Sequence, residues 1–321
     1  MARLRLLADD LTGALDSAAR FVPLTGPVAV TWRDDAAEGS IAFDSGTRDL
    51  TADAAHRRIQ RCAPLLDGGE PAFKKIDSLL RGHVALELAA CLRRFDHCVL
   101  APAFPFQGRV IRNGRQLARS GDVWRDTGVD LAAELCAHGG AAQVRDAETD
   151  ADLDAIVAEG RRLSGRVLWC GTGGLAGALA GHGVVPRPIL PRPILALIGS
   201  DHPVSRAQVG AVPLLLRHAV IVCGLPAGTD RREARKRIGD TFAAALRRVP
   251  RPGTLFVTGG ETLRDLCQAI GVTRLEVDGE IEPGVPTSLL RGGAWDGQRL
   301  VSKSGAFGDT GFLARLLGEA R

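Results

Sequence analysis

Short apolar runs of strand-like composition alternate with helical patterns along nearly the whole chain. The helical patterns repeat apolar residues three or four positions apart, as in Ile238, Phe242, Leu246 and Val249. The strand-like runs are Leu4–Ala8, Val28–Trp32, Ile41–Phe43, Ala72–Ile76, Cys98–Ala101, Val167–Cys170, Ile194–Ile198, Val220–Cys223, Leu255–Thr258 and Leu300–Ser302. Strands that alternate with helices are typical of parallel sheets built from right-handed crossovers. The sequence therefore predicts an α/β fold with mainly parallel sheets.

A proline-rich segment at 183–193 interrupts this alternation. Four prolines fall within positions 186–193. Proline lacks a backbone N–H and fixes φ, so the segment can neither continue a helix nor form a central strand. It predicts a stiff, extended linker between two α/β domains, residues 1–185 and residues 194–321.

The composition favours small anionic ligands over nucleic acid or membrane partners. The formal net charge is +4, and the basic residues are scattered among acidic ones. With no Tyr and only 4% aromatic residues, few side chains could stack on bases. No apolar run reaches the roughly 18 residues that a membrane-spanning helix needs.

The cysteines and the N-terminal segment predict a cytoplasmic protein. The seven cysteines include no C-x-x-C pair, which argues against a disulfide framework and against a zinc site. Several lie in strand-like runs or on apolar helix faces, as buried reduced thiols do. The chain turns acidic at Asp9 and Asp10 before any signal-type apolar core. The sequence does not fix the oligomeric state, and a homodimer stays open.

The segment from Lys74 to Gly82 concentrates charge where a strand is expected to lead into a helix. It contains Lys75, Asp77 and Arg81 within seven positions. The carboxyl ends of the strands of an open α/β sheet border the crevice in which ligands bind. Cations at this place favour an anionic ligand, and the alternative is a charged surface turn.

A recurrent feature is an apolar strand that ends in a glycine-rich turn before a helix. Glycine lets the backbone approach an anion closely, and free N–H groups at a helix start favour phosphate or carboxylate. Three such turns fall in the C-terminal domain, at Gly199–Pro203, Thr258–Thr262 and Lys303–Gly311. We therefore expect the phosphate-binding site in that domain.

Several familiar motifs are absent from the sequence. It contains no G-K-[ST], no G-x-S-x-G and no H-E-x-x-H. The segment Gly171–Gly177 imitates a dinucleotide fingerprint, but its glycine spacing is wrong by one and no acidic residue follows about 20 positions later. An NAD-dependent oxidoreductase of small hydroxy acids is therefore a disfavoured alternative.

Motifs along nearly the whole chain resemble the four-carbon acid sugar kinases. The N-terminal motifs are Leu7-Ala-Asp-Asp-Leu-Thr-Gly-Ala14, Asp44-Ser-Gly-Thr-Arg48, Lys75-Ile-Asp-Ser-Leu-Leu-Arg-Gly82, and Ala101-Pro-Ala-Phe-Pro105 with Gly108-Arg109. The later motifs are Gly171-Thr-Gly-Gly-Leu-Ala176, Gly199-Ser200 with Gln208, Thr258-Gly-Gly-Glu-Thr262, Gly279-Glu-Ile-Glu-Pro-Gly284 and Lys303-Ser-Gly-Ala-Phe-Gly308. They follow the family's order and are specific as a set.

The resemblance implies an ATP-dependent kinase that phosphorylates a hydroxyl of a small sugar acid such as a threonate, an erythronate or an oxo-tetronate, with Mg²⁺. It also implies an N-terminal acid-sugar domain and a C-terminal nucleotide domain, with the active site in the cleft between them. The acid-sugar contacts carry over to Asp9, Asp10, Arg48, Lys75, Asp77 and Arg81. The nucleotide contacts carry over to Ser200, Gly259, Gly260, Glu261, Thr262, Lys303, Gly305 and Gly308. No metal ligand is assigned.

Phosphoryl transfer needs a carboxylate that orients the attacking hydroxyl or accepts its proton. Asp10 is our first candidate, Asp77 the second, and Asp309 a rival at an expected helix start. Each has a structural alternative: Asp10 and Asp309 as helix N-caps, and Asp77 as the ion-pair partner of Arg81, four residues on.

Cations suit the substrate's carboxylate. Arg48 or Arg81 offers a bidentate fork, and Lys75 offers a point charge.

The chain departs from the family at Leu79, where threonine is usual, and it is shorter than typical members, mainly within residues 201–252. These departures leave a catalytically inactive sugar-acid or nucleotide binding protein as an alternative.

Overall fold

Two sets of parallel strands, one in each half of the chain, carry the fold. The computed structural model describes residues 2–33, 38–224 and 231–318. The chain divides into two compact units, Met1–Val185 and Pro186–Arg321, which we call the N-terminal and C-terminal units. Within the described ranges, no helix is both long enough and apolar enough to cross a membrane.

The N-terminal unit has one parallel and one antiparallel group of strands. Its strands are β1 (Arg5–Ala8), β2 (Val28–Thr31), β3 (Ile41–Asp44), β4 (Ala72–Lys75), β5 (His97–Ala101), β6 (Arg109–Arg112), β7 (Arg115–Ser120), β8 (Val123–Asp126) and β9 (Val167–Gly171). The parallel strands pair in the order β2-β3-β1-β4-β9-β5. Strands β6, β7 and β8 form a separate antiparallel sheet.

Helices connect these strands. They are α1 (Leu11–Thr25), α2 (Ala52–Cys62), α3 (Val84–Leu92), α4 (Leu131–Ala137), α5 (Asp150–Gly160) and α6 (Gly173–Leu179). Helix α1 begins directly after β1, because Asp10 Oδ1 accepts a hydrogen bond from the Gly13 N–H at 3.0 Å. It ends at Gly26, whose φ of 74° suits glycine. Its inner face is apolar and fully buried, with Leu15 and Phe21 at most 1% exposed.

The C-terminal unit combines parallel strands with an antiparallel hairpin. Its elements are β10 (Ile194–Ile198), α7 (Pro203–Gly210), β11 (Val220–Val222), α8 (Arg231–Leu246), β12 (Thr254–Thr258), α9 (Gly260–Ala269), β13 (Arg274–Glu282), β14 (Val285–Arg291), β15 (Arg299–Lys303) and α10 (Phe312–Gly318). The strand order is β11-β10-β12-β15-β14-β13. The first four are parallel, and β14 runs antiparallel to both of its neighbours.

The α/β fold predicted from the sequence is confirmed. Each predicted strand-like run corresponds to a strand whose bounds differ from those of the run by at most one residue at either end. Residues 183–193 contain neither helix nor strand, as their prolines predict.

Five strands with antiparallel neighbours were not predicted: β6, β7, β8, β13 and β14. In β6, β7 and β8, polar side chains and solvent-exposed positions obscure the apolar signal, and all four residues of β8 are exposed. In β13, register shifts after Val277 and Glu280 break the regular alternation of inward and outward side chains. A pattern with a strict period of two therefore misses these segments.

A buried ion pair lies beneath the end of β4. Lys74 Nζ is 2.8 Å from Glu87 Oε2 on α3, and both side chains are 1% exposed. Burial lowers the pKa of Lys74, but Glu87 and Asp9 outweigh this effect, so the pKa lies well above its usual value. The surrounding core contains Leu88 and Cys91, and burial raises the pKa of the Cys91 thiol to about 12.

Removing one partner should therefore leave the other as an unpaired buried charge. We expect Glu87→Ala to lower the free energy of unfolding by about 3–5 kcal/mol, whereas the double variant Lys74→Met with Glu87→Leu should recover most of that loss. Urea unfolding at pH 7 measures both. Glu148→Ala, which breaks the exposed pair of Arg112 and Glu148, is the control and should cost less than about 1 kcal/mol. A double variant as unstable as Glu87→Ala would contradict this account.

Candidate active site

Six charged residues gather at the carboxyl ends of β1, β3 and β4. We call them the Asp–Arg cluster: Asp9, Asp10, Arg48, Lys75, Asp77 and Arg81. The strand registers explain their proximity, because Ala8 at the end of β1 pairs with Asp44 of β3 and with Lys75 of β4. The structure thus brings together every residue that the sequence predicts to bind the sugar acid. Their role in ligand binding stays a prediction.

Arg48 connects three carboxylates of the cluster. Its Nε and Nη2 donate to the two carboxylate oxygens of Asp9 at 2.7 and 2.8 Å. Nη2 also donates to Asp10 Oδ1 at 2.8 Å, and Nη1 lies 3.4 Å from Asp77 Oδ1. Burial alone would lower the pKa of Arg48, but Asp10 and Asp9 raise it far above the ordinary value. Burial likewise would raise the pKa of Asp9, yet Arg48 keeps it below the ordinary value.

Asp77 is held by a second arginine and by its own turn. Arg81 Nε and Nη2 donate to its two oxygens at 2.8 Å each, so the ion pair expected from the spacing is present. The N–H groups of Leu79 and Arg81 also donate to Asp77 Oδ2. Burial would raise the pKa of Asp77, but Arg81 and Arg48 outweigh it and hold the pKa well below the usual range. Asp77 is therefore a weak proton acceptor.

Asp10 differs from the other two carboxylates. Its side chain is 25% exposed, and both of its hydrogen bonds, from Gly13 and from Arg48, converge on Oδ1. Among the described residues, no donor bonds to Oδ2. Burial and the neighbouring Asp9 raise the pKa of Asp10, and Arg48 offsets them only in part. Asp10 thus combines a free oxygen with the greater affinity for a proton.

Lys75 lies against the first turn of α1. Its ammonium donates to the Ile76 carbonyl at 2.8 Å. A Cβ atom on Gly13 would lie 2.9 Å from Lys75 Nζ and 2.7 Å from Asp10 Oδ1, so a larger residue at this position would displace both groups. The absence of a side chain at Gly13 therefore lets Lys75 and Asp10 approach the same space.

Arg109 is a neighbour of the Asp–Arg cluster that the site prediction left out. It follows Gly108 at the start of β6, and its Nη1 donates to the Gln107 carbonyl and side-chain oxygens. Its Nε is buried without a hydrogen-bond partner. Burial lowers the pKa of Arg109, Asp77 opposes this and Arg81 adds to it, so Arg109 lies within electrostatic range of the cluster. The Gly108-Arg109 motif was the available sequence signal.

The cluster predicts a pH-dependent stability. Arg48→Met should lower the free energy of unfolding by about 3 kcal/mol at pH 7, because three carboxylates lose a shared buried cation. The pKa values of these carboxylates then rise in the folded variant. The deficit relative to wild type should therefore shrink as the pH falls to 5 and the carboxylates take up protons.

Urea unfolding of both proteins at pH 7 and pH 5 measures this difference. Arg48→Lys is the matched control, since it keeps the charge without the fork and should lose less stability than Arg48→Met. The same deficit at both pH values would show that the carboxylates do not depend on Arg48.

In the C-terminal unit, three loops meet at the carboxyl ends of β10, β12 and β15. The register aligns Ile198 with Thr258 and Thr258 with Lys303, so the following loops start at one edge. The predicted nucleotide-binding residues lie on these loops or at this edge: Ser200, Gly259, Gly260, Glu261, Thr262, Lys303, Gly305 and Gly308. Helix α9 begins here with Gly259 at its N-cap, and no side chain caps its first N–H groups.

Close packing between the loops requires glycine. A Cβ atom on Gly199 would lie 2.3 Å from Thr262 Oγ1, and one on Gly305 would lie 2.0 Å from Ser200 Oγ. Gly259 has a φ of 100°, a conformation that side chains disfavour. The loops therefore form one surface of backbone and small side chains, which suits an anion.

Lys303 and Asp309 are both engaged by neighbouring groups. Lys303 is 2% exposed, and its ammonium donates to the carbonyls of Ser304 and Phe307 at 2.8 Å each. Burial lowers its pKa to about 8. The exposed Asp309 binds Arg315 through both oxygens at 2.8 and 2.7 Å, which lowers its pKa to about 2. Asp309 is therefore a weak proton acceptor.

Family models match both units. Residues 4–129 match a sugar-binding N-terminal domain, and residues 217–313 match a nucleotide-binding C-terminal domain. The chain thus resembles proteins that combine a sugar-binding with a nucleotide-binding domain. A D-threonate kinase of Cupriavidus necator is 31% identical over 96% of this chain and 95% of its own length. The chain belongs to the four-carbon acid sugar kinase family.

A further relative and two solved structures are similar to the chain over nearly its full length. A D-erythronate kinase of Heliobacterium modesticaldum is 27% identical over 97% of this chain and 95% of its own length. The crystal structure of a Haemophilus influenzae protein of the DUF1537 family model superposes on 96% of this chain and 98% of its own chain, with a TM-score of 0.69 and 19% identity. A Salmonella typhimurium structure covers both chains fully, with a TM-score of 0.72 and 20% identity. At these identities the solved structures show the shared fold alone.

Proposed function

We propose that this protein phosphorylates a hydroxyl group of a four-carbon sugar acid with ATP as the donor. The observation that carries the proposal is the Asp–Arg cluster, a charged site built from the residues that match the family's acid-sugar motifs. Two relatives, which are named as D-threonate and D-erythronate kinases and match this chain over nearly their full lengths, support the same reaction. They give no support to an oxidoreductase.

The cations of the site that retain unused donor hydrogens indicate where the substrate's carboxylate binds. The forks of Arg48 and Arg81 already hold Asp9 and Asp77. An acid that displaced them would leave buried carboxylates unpaired, at a cost of several kcal/mol. Lys75 has ammonium hydrogens beyond its single bond to a carbonyl, and Arg109 has an unsatisfied Nε. We therefore assign the substrate's carboxylate to Lys75 and Arg109.

Asp10 is the proposed acceptor for the proton of the attacking hydroxyl. A general base works best when its pKa lies near the working pH. The pKa of Asp10 is raised, whereas those of Asp77 and Asp309 are lowered. Arg48 holds the carboxylate in place through Oδ1 and leaves Oδ2 for the substrate.

The loops of the C-terminal unit are the proposed site for the phosphates of ATP. Free N–H groups at the start of α9 and glycine-rich backbone suit phosphate oxygens. In the described part of the chain, no three His, Cys, Asp or Glu side chains lie together as metal ligands. Mg²⁺ in kinases is commonly held by substrate phosphates with one or two carboxylates. The described residues therefore fit an Mg²⁺ ion that binds together with ATP and neutralises the charge of its phosphates.

Release of ADP from Mg-ATP tests the proposed function. The purified protein is assayed with a panel of four-carbon and related sugar acids, and hydrolysis without an acid is the blank. Stimulation by one or two acids supports the kinase and names its substrate. Silence across the panel, with acid and ATP both raising the thermal stability of the protein, would favour a binding protein that does not turn over.

Asp10→Asn tests the proton acceptor. The amide keeps the size of the side chain and its capping oxygen but does not accept a proton at neutral pH. We expect kcat to fall by about 10²-fold or more, with the affinity for ATP nearly unchanged. Asp130→Asn, which alters the N-cap of α4 in the same unit, is the control for the loss of a charged cap. Full activity of Asp10→Asn would exclude the role, and a comparable loss only in Asp309→Asn would transfer it to the rival.

Arg109→Gln tests the binding of the substrate's carboxylate. We expect KM for the acid to rise by about 10-fold or more, because a charge-assisted hydrogen bond is lost. The KM for ATP should stay unchanged, and the preference for the acid over the matching four-carbon polyol should fall. Arg112→Gln, on the same strand but paired with Glu148 at the surface, is the control. An unchanged KM and an unchanged preference in Arg109→Gln would remove Arg109 from the site.

A further inference from the structure

Three buried polar side chains lie beneath the loop that follows β15. Ser205 and Gln208 come from α7, and Lys303 ends β15. They are 1%, 2% and 2% exposed, respectively. Burying such groups is unfavourable unless each finds a hydrogen-bond partner. The loop of residues 304–309 provides these partners.

The partners are backbone carbonyls of this loop. Ser205 Oγ donates to the Gly305 carbonyl at 2.9 Å. Gln208 Nε2 donates to the carbonyls of Phe307 and Asp309 at 3.0 and 2.9 Å. Lys303 donates to Ser304 and again to Phe307. The carbonyls of four loop residues are therefore drawn towards the protein interior.

The inward carbonyls orient the N–H groups of the loop. In a planar trans peptide, the N–H of the next residue points opposite to the carbonyl. The N–H groups of Gly305, Ala306 and Gly308 thus point away from the buried side chains. In the described part of the chain, none of these three N–H groups has a hydrogen-bond acceptor. Gly308 has a φ of 78°, in the left-handed region that occurs in anion-binding backbone concavities.

We propose that Ser205, Gln208 and Lys303 are positioning residues that hold the 304–309 loop with its N–H groups directed at the phosphates of ATP. This inference rests on the proposed function. Lys303 then acts on phosphate through the backbone, since two of its three ammonium hydrogens are bound to loop carbonyls. Gln208 is central to the arrangement, because a single amide group holds both Phe307 and Asp309.

Gln208→Leu tests the proposal, because leucine has a similar size and cannot donate a hydrogen bond. We expect the affinity for ATP, measured by calorimetry, to fall by about 10-fold, since well-placed N–H groups bind charged oxygens strongly. The affinity for adenosine should be unchanged, since adenosine has no phosphates. In the ADP-release assay, KM for ATP should rise while KM for the acid stays constant. Gln268→Leu, at an exposed position of α9, is the matched control.

Ser205→Ala is a second variant with a smaller disturbance. It removes the hydrogen bond to one loop carbonyl and should lower the affinity for ATP by about 3-fold, again without an effect on the affinity for adenosine. Should Gln208→Leu fail to fold, Ser205→Ala decides the question alone.

Unchanged affinity for ATP in the folded variants would overturn the inference. Equal losses of affinity for ATP, adenosine and the sugar acid would also overturn it, because they would indicate a general structural defect. These results leave the proposed function intact if the wild type turns over ATP. A wild-type protein that binds no ATP would overturn both.

Discussion

The contact of Arg48 with three carboxylates is the interaction on which the N-terminal site depends. Asp9, Asp10 and Asp77 lie close enough to share one guanidinium, and without it their mutual repulsion would oppose the folded arrangement. Parallel strand ends bring these groups together, and Arg48 makes their proximity stable. It also makes them unequal, because Asp9 and Asp77 become firmly ionised while the more exposed Asp10 retains the greater proton affinity.

The same pairing occupies the forks of Arg48 and Arg81. Lys75 and Arg109 keep donors that no described carboxylate accepts from, and they are the cations that we assign to the substrate's carboxylate. In the C-terminal unit, by contrast, buried side chains turn backbone carbonyls inwards, and the N–H groups of the loops supply partial positive charge.

The sequence predicted the parallel strands because apolar runs mark them, and it predicted a charged segment around Lys75, Asp77 and Arg81 at the end of one such run. The membership of Asp9, Asp10 and Arg48 in the same cluster came from the resemblance to the family's motifs. The occupation of the Arg48 fork was beyond a sequence pattern, since it depends on rotamers and on contacts across about 40 positions. The pairing of Arg81 with Asp77, by contrast, was an alternative that their spacing offered. Asp77 and Arg81, which lie within electrostatic range of Arg109, are likewise distant from it in sequence. Gln208 was part of a recognised motif, but its role needs the path of a loop about 100 residues later.

A crystal structure with a bound four-carbon acid would test the proposed roles of Lys75, Arg109 and Asp10. We expect carboxylate oxygens of the acid within about 3 Å of Lys75 Nζ and of the Arg109 guanidinium, and a substrate hydroxyl at Asp10 Oδ2. Arg48 should keep its hydrogen bonds to Asp9, and Arg81 should keep those to Asp77. An acid whose carboxylate takes over the fork of Arg48 or Arg81, or one that binds away from Asp10, would exclude these roles.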